Sequence, residues 1–239
     1  TGGGNIIANL RLVVSERQIV LMLGLLFVLW LSTTFVRPVM PISIDDFANH
    51  QANEDNDRVP LDLGLRAFNL KEEAATGVVF GVIGLTSTIA ALSVAPLGQR
   101  IGYRRSVAGA AALTGLLYLP VAVAGSYLAF LLFMGSVGLF QGAMVPGTNA
   151  LIGASVPEGK HGSAFGLAAS MQSLALLIGP LAGGAVSGLF GIQFVYAIIG
   201  VVLIAASVFA YTLIREPEVF AAPAAGHPPR PRQATETVR

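Results

Sequence analysis

The 239-residue sequence contains no cysteine and few charged residues. The missing cysteines exclude a disulfide framework, a thiolate metal site and a cysteine nucleophile. Charged residues make up 11% of the chain, against about 25% in soluble globular proteins. Hydrophobic residues make up 54% and the formal net charge is +1. This composition is typical of a membrane protein, and the charge balance indicates neither a nucleic-acid partner nor an acidic one.

Four stretches without a charged side chain cover 19–36, 74–99, 106–157 and 162–214. A helix needs roughly 20 apolar residues to cross a bilayer core, so the shorter stretches predict one helix each and the longer ones two each. Leucine, valine and alanine fill every helical face, which favours helices over the alternating strands of a barrel. The sequence predicts an all-α membrane protein whose transmembrane domain covers 19–214. We place six helices near 19–43, 74–99, 106–124, 127–150, 163–187 and 192–214.

Most basic residues fall on one side of these predicted helices. They are Arg11, Arg17, Arg100, Arg104, Arg105, Lys160, Arg215, Arg230, Arg232 and Arg239. The opposite side holds Arg58, Arg66 and Lys71, diluted by acidic residues. By the positive-inside rule we expect a multi-pass protein with both termini in the cytoplasm. A bacterial inner membrane is the expected location.

Three segments lie outside the predicted bundle. We interpret 1–18 as a cytoplasmic linker and 215–239, which is rich in proline and alanine, as a disordered cytoplasmic tail. The segment 47–73 is expected to be an extracytoplasmic loop. Its stretch 59–70 is weakly amphipathic and fits either a solvated connector or a surface-lying segment. Because the sequence opens on Thr1 without an initiator methionine, we expect a piece of a longer chain, although a natural half-transporter that dimerises stays open.

The turn between the second and third predicted helices reads Ala-Pro-Leu-Gly-Gln-Arg-Ile-Gly-Tyr-Arg-Arg over 95–105. It resembles the loop signature of the major facilitator superfamily, Gly-x-Leu-x-Asp-Arg-x-Gly-Arg-Arg-Arg. The matching residues are Leu97, Arg100, Gly102, Arg104 and Arg105. Ala95, Gln99 and Tyr103 depart from the signature. The resemblance implies a loop that closes the cytoplasmic gate, but Gln99 cannot supply the anion that the family's aspartate contributes to a charge relay.

The fifth predicted helix contains Leu-Ile-Gly-Pro-Leu-Ala-Gly-Gly over 177–184. Gly179, Gly183 and Gly184 remove side chains so that a neighbouring helix can approach closely, and Pro180 permits a kink. This stretch resembles the Gly-Pro-x-x-Gly-Gly signature of the superfamily's drug:proton antiporters.

The first signature lies between the second and third of six predicted helices, and the second signature lies in the fifth. This arrangement resembles the C-terminal half, helices seven to twelve, of a twelve-helix transporter. Such a half is built as a 3+3 inverted repeat in which breaks at corresponding positions point to the binding site. Breaks are expected at Arg37-Pro38 in the first helix and at Pro146-Gly147 in the fourth. The resemblance implies that an N-terminal six-helix half of the same native chain is the partner, missing here.

Several side chains are candidates for a substrate cavity. Gln172 lies near the midplane, where cavity-facing and structural roles are equally open, while a structural bridge is favoured for Gln141. Trp30 and Met171 could offer apolar surface to a substrate or simply pack. Arg37 is either a snorkelling arginine or an outer-gate residue.

The sequence lacks the residue patterns of known catalytic sites. It has no group of residues at metal-ligand spacing, no phosphate-binding loop and no histidine inside the predicted membrane segments. No cofactor is expected. Because no carboxylate lies within the second to sixth helices, a proton gradient would act through an acid in the missing half. The resemblance implies alternating-access transport, with multidrug efflux of lipophilic small molecules as the main hypothesis. Uptake or facilitated diffusion of a small metabolite, and a non-transporting scaffold subunit, are the alternatives.

Overall fold

The computed structural model describes residues 16–51, 58–62, 67–157 and 159–217. The helices and strands in these ranges are α1 Arg17–Val36, α2 Val39–Gln51, β1 Arg58–Asp62, β2 Ala67–Lys71, α3 Glu72–Ile101, α4 Tyr103–Val121, α5 Tyr127–Ser155, α6 His161–Phe190 and α7 Ile192–Leu213. Residues 1–15 of the expected linker and 218–239 of the expected tail lie outside the described residues.

Five helical spans in the described ranges are long and apolar enough to cross a membrane. They are Arg17–Phe47, Glu72–Ile101, Tyr127–Ser155, His161–Phe190 and Ile192–Leu213, with α1 and most of α2 counted together. The remaining predicted span corresponds to α4, which has 19 residues and opens with Tyr103, Arg104 and Arg105. These polar residues lower the hydropathy of α4, although one side of the helix packs against α5 and α7.

The two expected breaks behave differently. The helical hydrogen-bond ladder is interrupted at Arg37 and Pro38, where α1 ends and α2 begins, because proline provides no N–H for the ladder. At the second position the expectation of a break is wrong, because α5 runs continuously through Pro146 and Gly147. Gly147 lies so close to Val107 of α4 that an added Cβ would stand 2.6 Å from its methyl group. Packing against α4 thus supports the helix where one backbone hydrogen bond is missing.

A β-hairpin interrupts the all-helical pattern. β1 and β2 pair antiparallel, with Val59 opposite Leu70. The stretch 59–70, for which a solvated connector and a surface-lying segment are both open from the sequence, thus contains paired strands. Val59 is fully buried, and Leu70 packs against the hydrophobic core. Because the side chains of a strand alternate between its two faces, this apolar pair closes the hairpin onto the bundle. The candidate membrane spans in the described residues are all helical, and the hairpin lies between two of them.

Four helix pairs form the most extensive contacts of the bundle: α3 with α5, α4 with α7, α4 with α5, and α1 with α6. Three of them, α1 with α6, α3 with α5 and α4 with α7, share one feature. In each pair a glycine meets backbone of the opposite helix. An added Cβ would collide with the Phe35 carbonyl at Gly183 and with Ser87 backbone at Gly142. At Gly115 it would lie 2.6 Å from the Gly200 oxygen. Close backbone approach between small residues is how membrane helices pack without a hydrophobic driving force.

A hydroxyl-to-carbonyl hydrogen bond reinforces each of these crossings. Thr34 Oγ1 donates to the Ala175 carbonyl oxygen at 3.0 Å between α1 and α6. Ser87 Oγ donates to the Gly138 oxygen at 3.0 Å between α3 and α5. Ser207 Oγ donates to the Ala108 oxygen at 2.7 Å between α7 and α4. Such bonds contribute about 0.6 kcal/mol each on average within membranes, so they add specificity to contacts that close packing creates.

Candidate gating loop and central polar residues

The loop signature forms a one-residue turn between α3 and α4. Gly102 alone separates the two helices and has a φ of 93°, a left-handed value that favours glycine. The Tyr103 ring lies against Gly98, where an added Cβ would stand 2.5 Å from the ring. Ser106 Oγ donates to the Gly102 carbonyl at 2.8 Å. Tyr103, which replaces a basic residue of the family signature, is thus an aromatic cover that packs on the last turn of α3.

A carboxylate from the other end of the chain binds this turn. Glu216, just after α7, accepts hydrogen bonds from the backbone N–H groups of Tyr103 at 2.6 Å and Arg104 at 2.9 Å. Its oxygens would contact a Cβ at Gly102 from 3.1 Å, so a side chain there would crowd the carboxylate. A negative charge at the first turn of a helix satisfies free N–H groups and complements the helix dipole. Glu216 therefore caps α4.

Arg104 is held against the end of α7. Its guanidinium carbon lies 5.2 Å from the centre of the Tyr211 ring, and Nη1 donates to the Ile214 carbonyl at 3.3 Å. A cation over an aromatic face is attracted by the ring quadrupole. Arg104 and Glu216 together attach the signature turn to the end of the last helix.

The end of α7 also binds the start of α1. Gln18 Nε2 donates to the Leu213 carbonyl at 3.2 Å, and Gln18 Oε1 accepts from the Arg215 backbone N–H at 3.0 Å. The segment 213–216 thus joins the starts of α1 and α4, which makes it the structural centre of this end of the bundle.

Other residues of the signature face outward. Leu97, Gln99, Arg100 and Arg105 are all exposed, and in the described part of the chain Gln99 makes no side-chain hydrogen bond. The carboxylate that this loop lacks in its own sequence is instead contributed by Glu216.

The sequence does not identify Glu216 as a functional residue, because Glu216 falls in the segment 215–239, for which disorder is expected. The available signal was weak: an acid directly after the last apolar run, on the side where the arginines gather. No local pattern relates Glu216 to Tyr103, since they are 113 residues apart. Residues 215–217 of that segment are described in the structure, and Glu216 contacts the start of α4 there.

The central glutamines have different environments. Gln141 Nε2 donates to Thr33 Oγ1 at 2.7 Å and so links α5 to α1. Gln172 on α6 is half-buried, and its amide makes no hydrogen bond among the described residues. A half-buried amide without a protein partner is available to a ligand, whereas an amide already bonded across a helix interface contributes to packing.

Three candidate residues lie at one level of the α1–α6 pair. Thr34 contacts α6 at Ala175 and Gly179. Trp30 precedes Thr34 by one helical turn, and Met171 and Gln172 precede Ala175 by about one turn. α1 and α6 run in the same direction, because Thr34 meets Gly179 while Phe35 meets Gly183. Trp30 and Met171 are partly buried against the core. A half-buried amide, an indole and a thioether thus share one depth in the bundle.

The remaining predicted residues occupy several places. Arg37 is exposed beside Pro38 at the gap between α1 and α2, without a hydrogen bond or ion pair among the described residues. Pro180 lies inside the continuous helix α6. Gly184 faces open space, unlike Gly179 and Gly183, which contact α1. The described residues contain no cluster of ligands that could hold a metal ion.

This chain is similar to several known membrane transport proteins. The sequence profile described as Major Facilitator Superfamily matches residues 22–238. The multidrug resistance protein MdtG of Yersinia enterocolitica is 33% identical over 141 residues, which are 59% of this chain and 34% of that protein. The multi-drug resistance efflux pump PmrA of Streptococcus pneumoniae is 31% identical over 121 residues, covering 51% of this chain and 30% of that pump.

The fold resembles a solved transporter. A bacterial homologue of the human lysosomal transporter Spinster, inward-facing and unoccupied, aligns with a TM-score of 0.69 and 16% sequence identity. The alignment covers 93% of this chain and 46% of that one. The matched regions span about a third of the length of the two multidrug resistance relatives and just under half of the solved transporter.

The profile match extends over most of the chain, and the solved fold agrees with it. Members of this family are multi-pass membrane proteins that carry out secondary transport and are not enzymes. The chain belongs to the Major Facilitator Superfamily.

Proposed function

We propose that this chain is the C-terminal six-helix half of a twelve-helix transporter that exports lipophilic drugs by alternating access. The observation that carries the proposal is the pairing of the helices. Counting α1 with α2 as the first of six segments, the five most extensive pairings join the first with the fifth and the sixth, the second with the fourth, and the third with the fourth and the sixth. Exchanging the first three segments with the last three reproduces this list. That invariance is expected of two inverted three-helix repeats related by a two-fold axis.

The exposed faces of α3 and α6 support a partner half. Leu85, Ile89 and Leu92 are 50–76% exposed on α3, and Leu177 and Leu181 are 63% and 69% exposed on α6. These helices occupy equivalent places in the two repeats, as second and fifth segments. We infer that a second six-helix unit covers both, with the substrate between the units at the depth of Trp30, Met171 and Gln172.

Drug efflux is favoured over metabolite uptake by the relatives, two of which are named for multidrug resistance. The apolar and aromatic character of the central residues agrees, because an indole, a thioether and an uncharged amide suit a lipophilic substrate. A proton gradient is the proposed driving force. Its carrier would lie in the N-terminal half, and the positive-inside rule would place both termini of this half in the cytoplasm.

The proposal is tested with the full reading frame expressed in a bacterial strain that lacks its own efflux pumps. We expect lower ethidium accumulation, restored to the level of the empty strain by a protonophore. Unchanged accumulation of ethidium and of other lipophilic cations would contradict drug efflux. A protein that transports neither dyes nor small metabolites would favour a scaffold.

Two matched glutamine variants distinguish a side chain that contacts the substrate from one that supports helix packing. Gln172→Ala should raise the apparent KM for a transported dye by about twofold to tenfold, the effect of one lost hydrogen bond, without changing the melting temperature. Gln141→Ala should instead lower the stability by about 0.6 kcal/mol, because it removes the bond to Thr33. Dye transport at several concentrations and thermal melting of the purified protein give both values. If both variants alter only stability, Gln172 does not face the substrate.

A further inference from the structure

Two grooves flank the exposed face of α4 at its arginine-rich end. One lies between α4 and α7, has a volume of about 400 Å³, and includes Ala108 and Val208 in its lining. The other lies among α3, α4 and α5, has a volume of about 330 Å³, and includes Leu113 and Phe140. Arg105 and Gly109 line both grooves. The two spaces therefore meet on one side of α4.

Both grooves present apolar surface. The serine and threonine hydroxyls in their linings are used inside the protein: Ser207 donates to Ala108, Thr212 to Val208, Ser93 to Ile89 and Ser106 to Gly102. A satisfied hydroxyl offers little to a polar ligand. The grooves thus suit hydrocarbon, with the Arg105 guanidinium as their charged group.

Arg105 differs from its neighbour Arg104. The Arg104 side chain is held by Tyr211 and Ile214. Arg105 is exposed, and its guanidinium makes no hydrogen bond or ion pair with the residues that the structure describes. It is thus free for a phosphate, which guanidinium groups bind in a bidentate manner.

Gly109 removes the barrier between the two grooves. It lies four residues after Arg105, which places both on one helical face, and an added Cβ there would meet nothing within 4 Å. Hydrocarbon can therefore lie directly against the backbone of α4 just beyond the guanidinium.

We propose that this face of α4 binds one anionic phospholipid, with its phosphate on Arg105 and its acyl chains in the two grooves that Gly109 connects. An anionic lipid is favoured over a zwitterionic one because the grooves carry one unpaired cation and no acidic residue in their linings. The site differs from the proposed substrate cavity, which lies on α1 and α6.

A third groove supplies an internal control. It lies between α1 and α7, has a volume of about 470 Å³, and includes Val28, Val202 and Phe209 but no charged residue in its lining. Lipid in this groove should show no preference for one headgroup, although its size is similar.

The experiment reconstitutes the full-length transporter in bilayers, with tryptophan placed at one groove at a time. Leu113→Trp reports on the Arg105 site and Val202→Trp on the control groove, both with Trp30→Phe and any other tryptophan replaced. Quenching is measured with brominated phosphatidylglycerol, phosphatidylethanolamine and phosphatidylcholine. We expect about a fivefold preference for phosphatidylglycerol over phosphatidylcholine at position 113, and none at position 202.

Three variants decide the assignment. Arg105→Gln should abolish the preference at position 113, whereas Arg100→Gln, which removes the same charge from an exposed position outside the groove linings, should leave it. Gly109→Phe fills open space, so it should fold normally and reduce quenching by all three lipids. Equal losses in Arg105→Gln and Arg100→Gln would indicate diffuse surface charge and overturn the site. Equal quenching by phosphatidylethanolamine and phosphatidylglycerol would overturn the requirement for an anionic headgroup.

Discussion

Gly183→Ala should destabilise the bundle by about 1–3 kcal/mol, the usual cost of inserting a methyl group into a close-packed contact. The added Cβ would collide with the Phe35 backbone carbonyl on α1. Backbone cannot rotate aside as a flexible side chain does, so α1 and α6 would have to separate and weaken the bond from Thr34 to Ala175. Thermal melting of the full-length protein in detergent, followed by size-exclusion chromatography, measures the loss.

Gly184→Ala is the matched control, since it makes the same chemical change one residue along the same signature. Its Cβ would enter open space, and alanine is favoured over glycine inside a helix by up to about 1 kcal/mol. We expect unchanged or slightly higher stability. Equal destabilisation by both variants would refute the role assigned to the Gly183 crossing. Lost transport in Gly184→Ala at full stability would indicate contact with the proposed partner half.

Glu216→Ala should release the first turn of α4 and cost about 1.5–3 kcal/mol, the range for hydrogen bonds to a charged group. The variant leaves the N–H groups of Tyr103 and Arg104 without their acceptor and removes a negative charge from the positive end of the helix dipole. Glu216→Gln keeps an acceptor oxygen but loses the charge, so its effect should be intermediate. Hydrogen exchange at the amides of Tyr103 and Arg104 reports the change directly.

Glu16→Ala controls for the loss of an acid next to a helix start. Glu16 is exposed just before α1, and its side chain forms no cap there. We expect no change in exchange at α4 and little change in melting temperature. If Glu16→Ala and Glu216→Ala destabilise the protein equally, general charge effects rather than the cap would explain the result.

The sequence predicted the helices well where the physical signal is local. Runs without charge identify spanning segments because lipid excludes unpaired charges, and Gly102 marks the tight turn because few other residues adopt its φ. The glycines of α6 indicated a close crossing, but not which of them face α1. Gly183 and Gly184 are adjacent in sequence, yet their surroundings differ because the helix turns by about 100° per residue.

The features that the sequence did not predict depend on distant contacts. Glu216 acts on residues that only the assembled bundle brings near. Val59 belongs to a hairpin because it reaches the core, which a weak amphipathic pattern does not indicate. Pro146 looked like a helix break, but α4 supports α5 at Gly147 and the helix continues. In each case packing overrides a local preference.

The gap at Arg37 and Pro38 lies between two helices, α1 and α2, that are each fixed to a different neighbour, so backbone rotation between these two blocks would occur at the gap. α1 is fixed to α6 as far as Thr34 and Phe35, whereas α2 is fixed to α7 by the 2.8 Å hydrogen bond between Ser43 and Tyr196. If the α1–α6 pair rotates relative to α7, the backbone dihedrals at the gap must absorb the twist, since the helical stretches on either side cannot. Arg37, exposed at that gap, would then change its orientation relative to at least one of the two blocks.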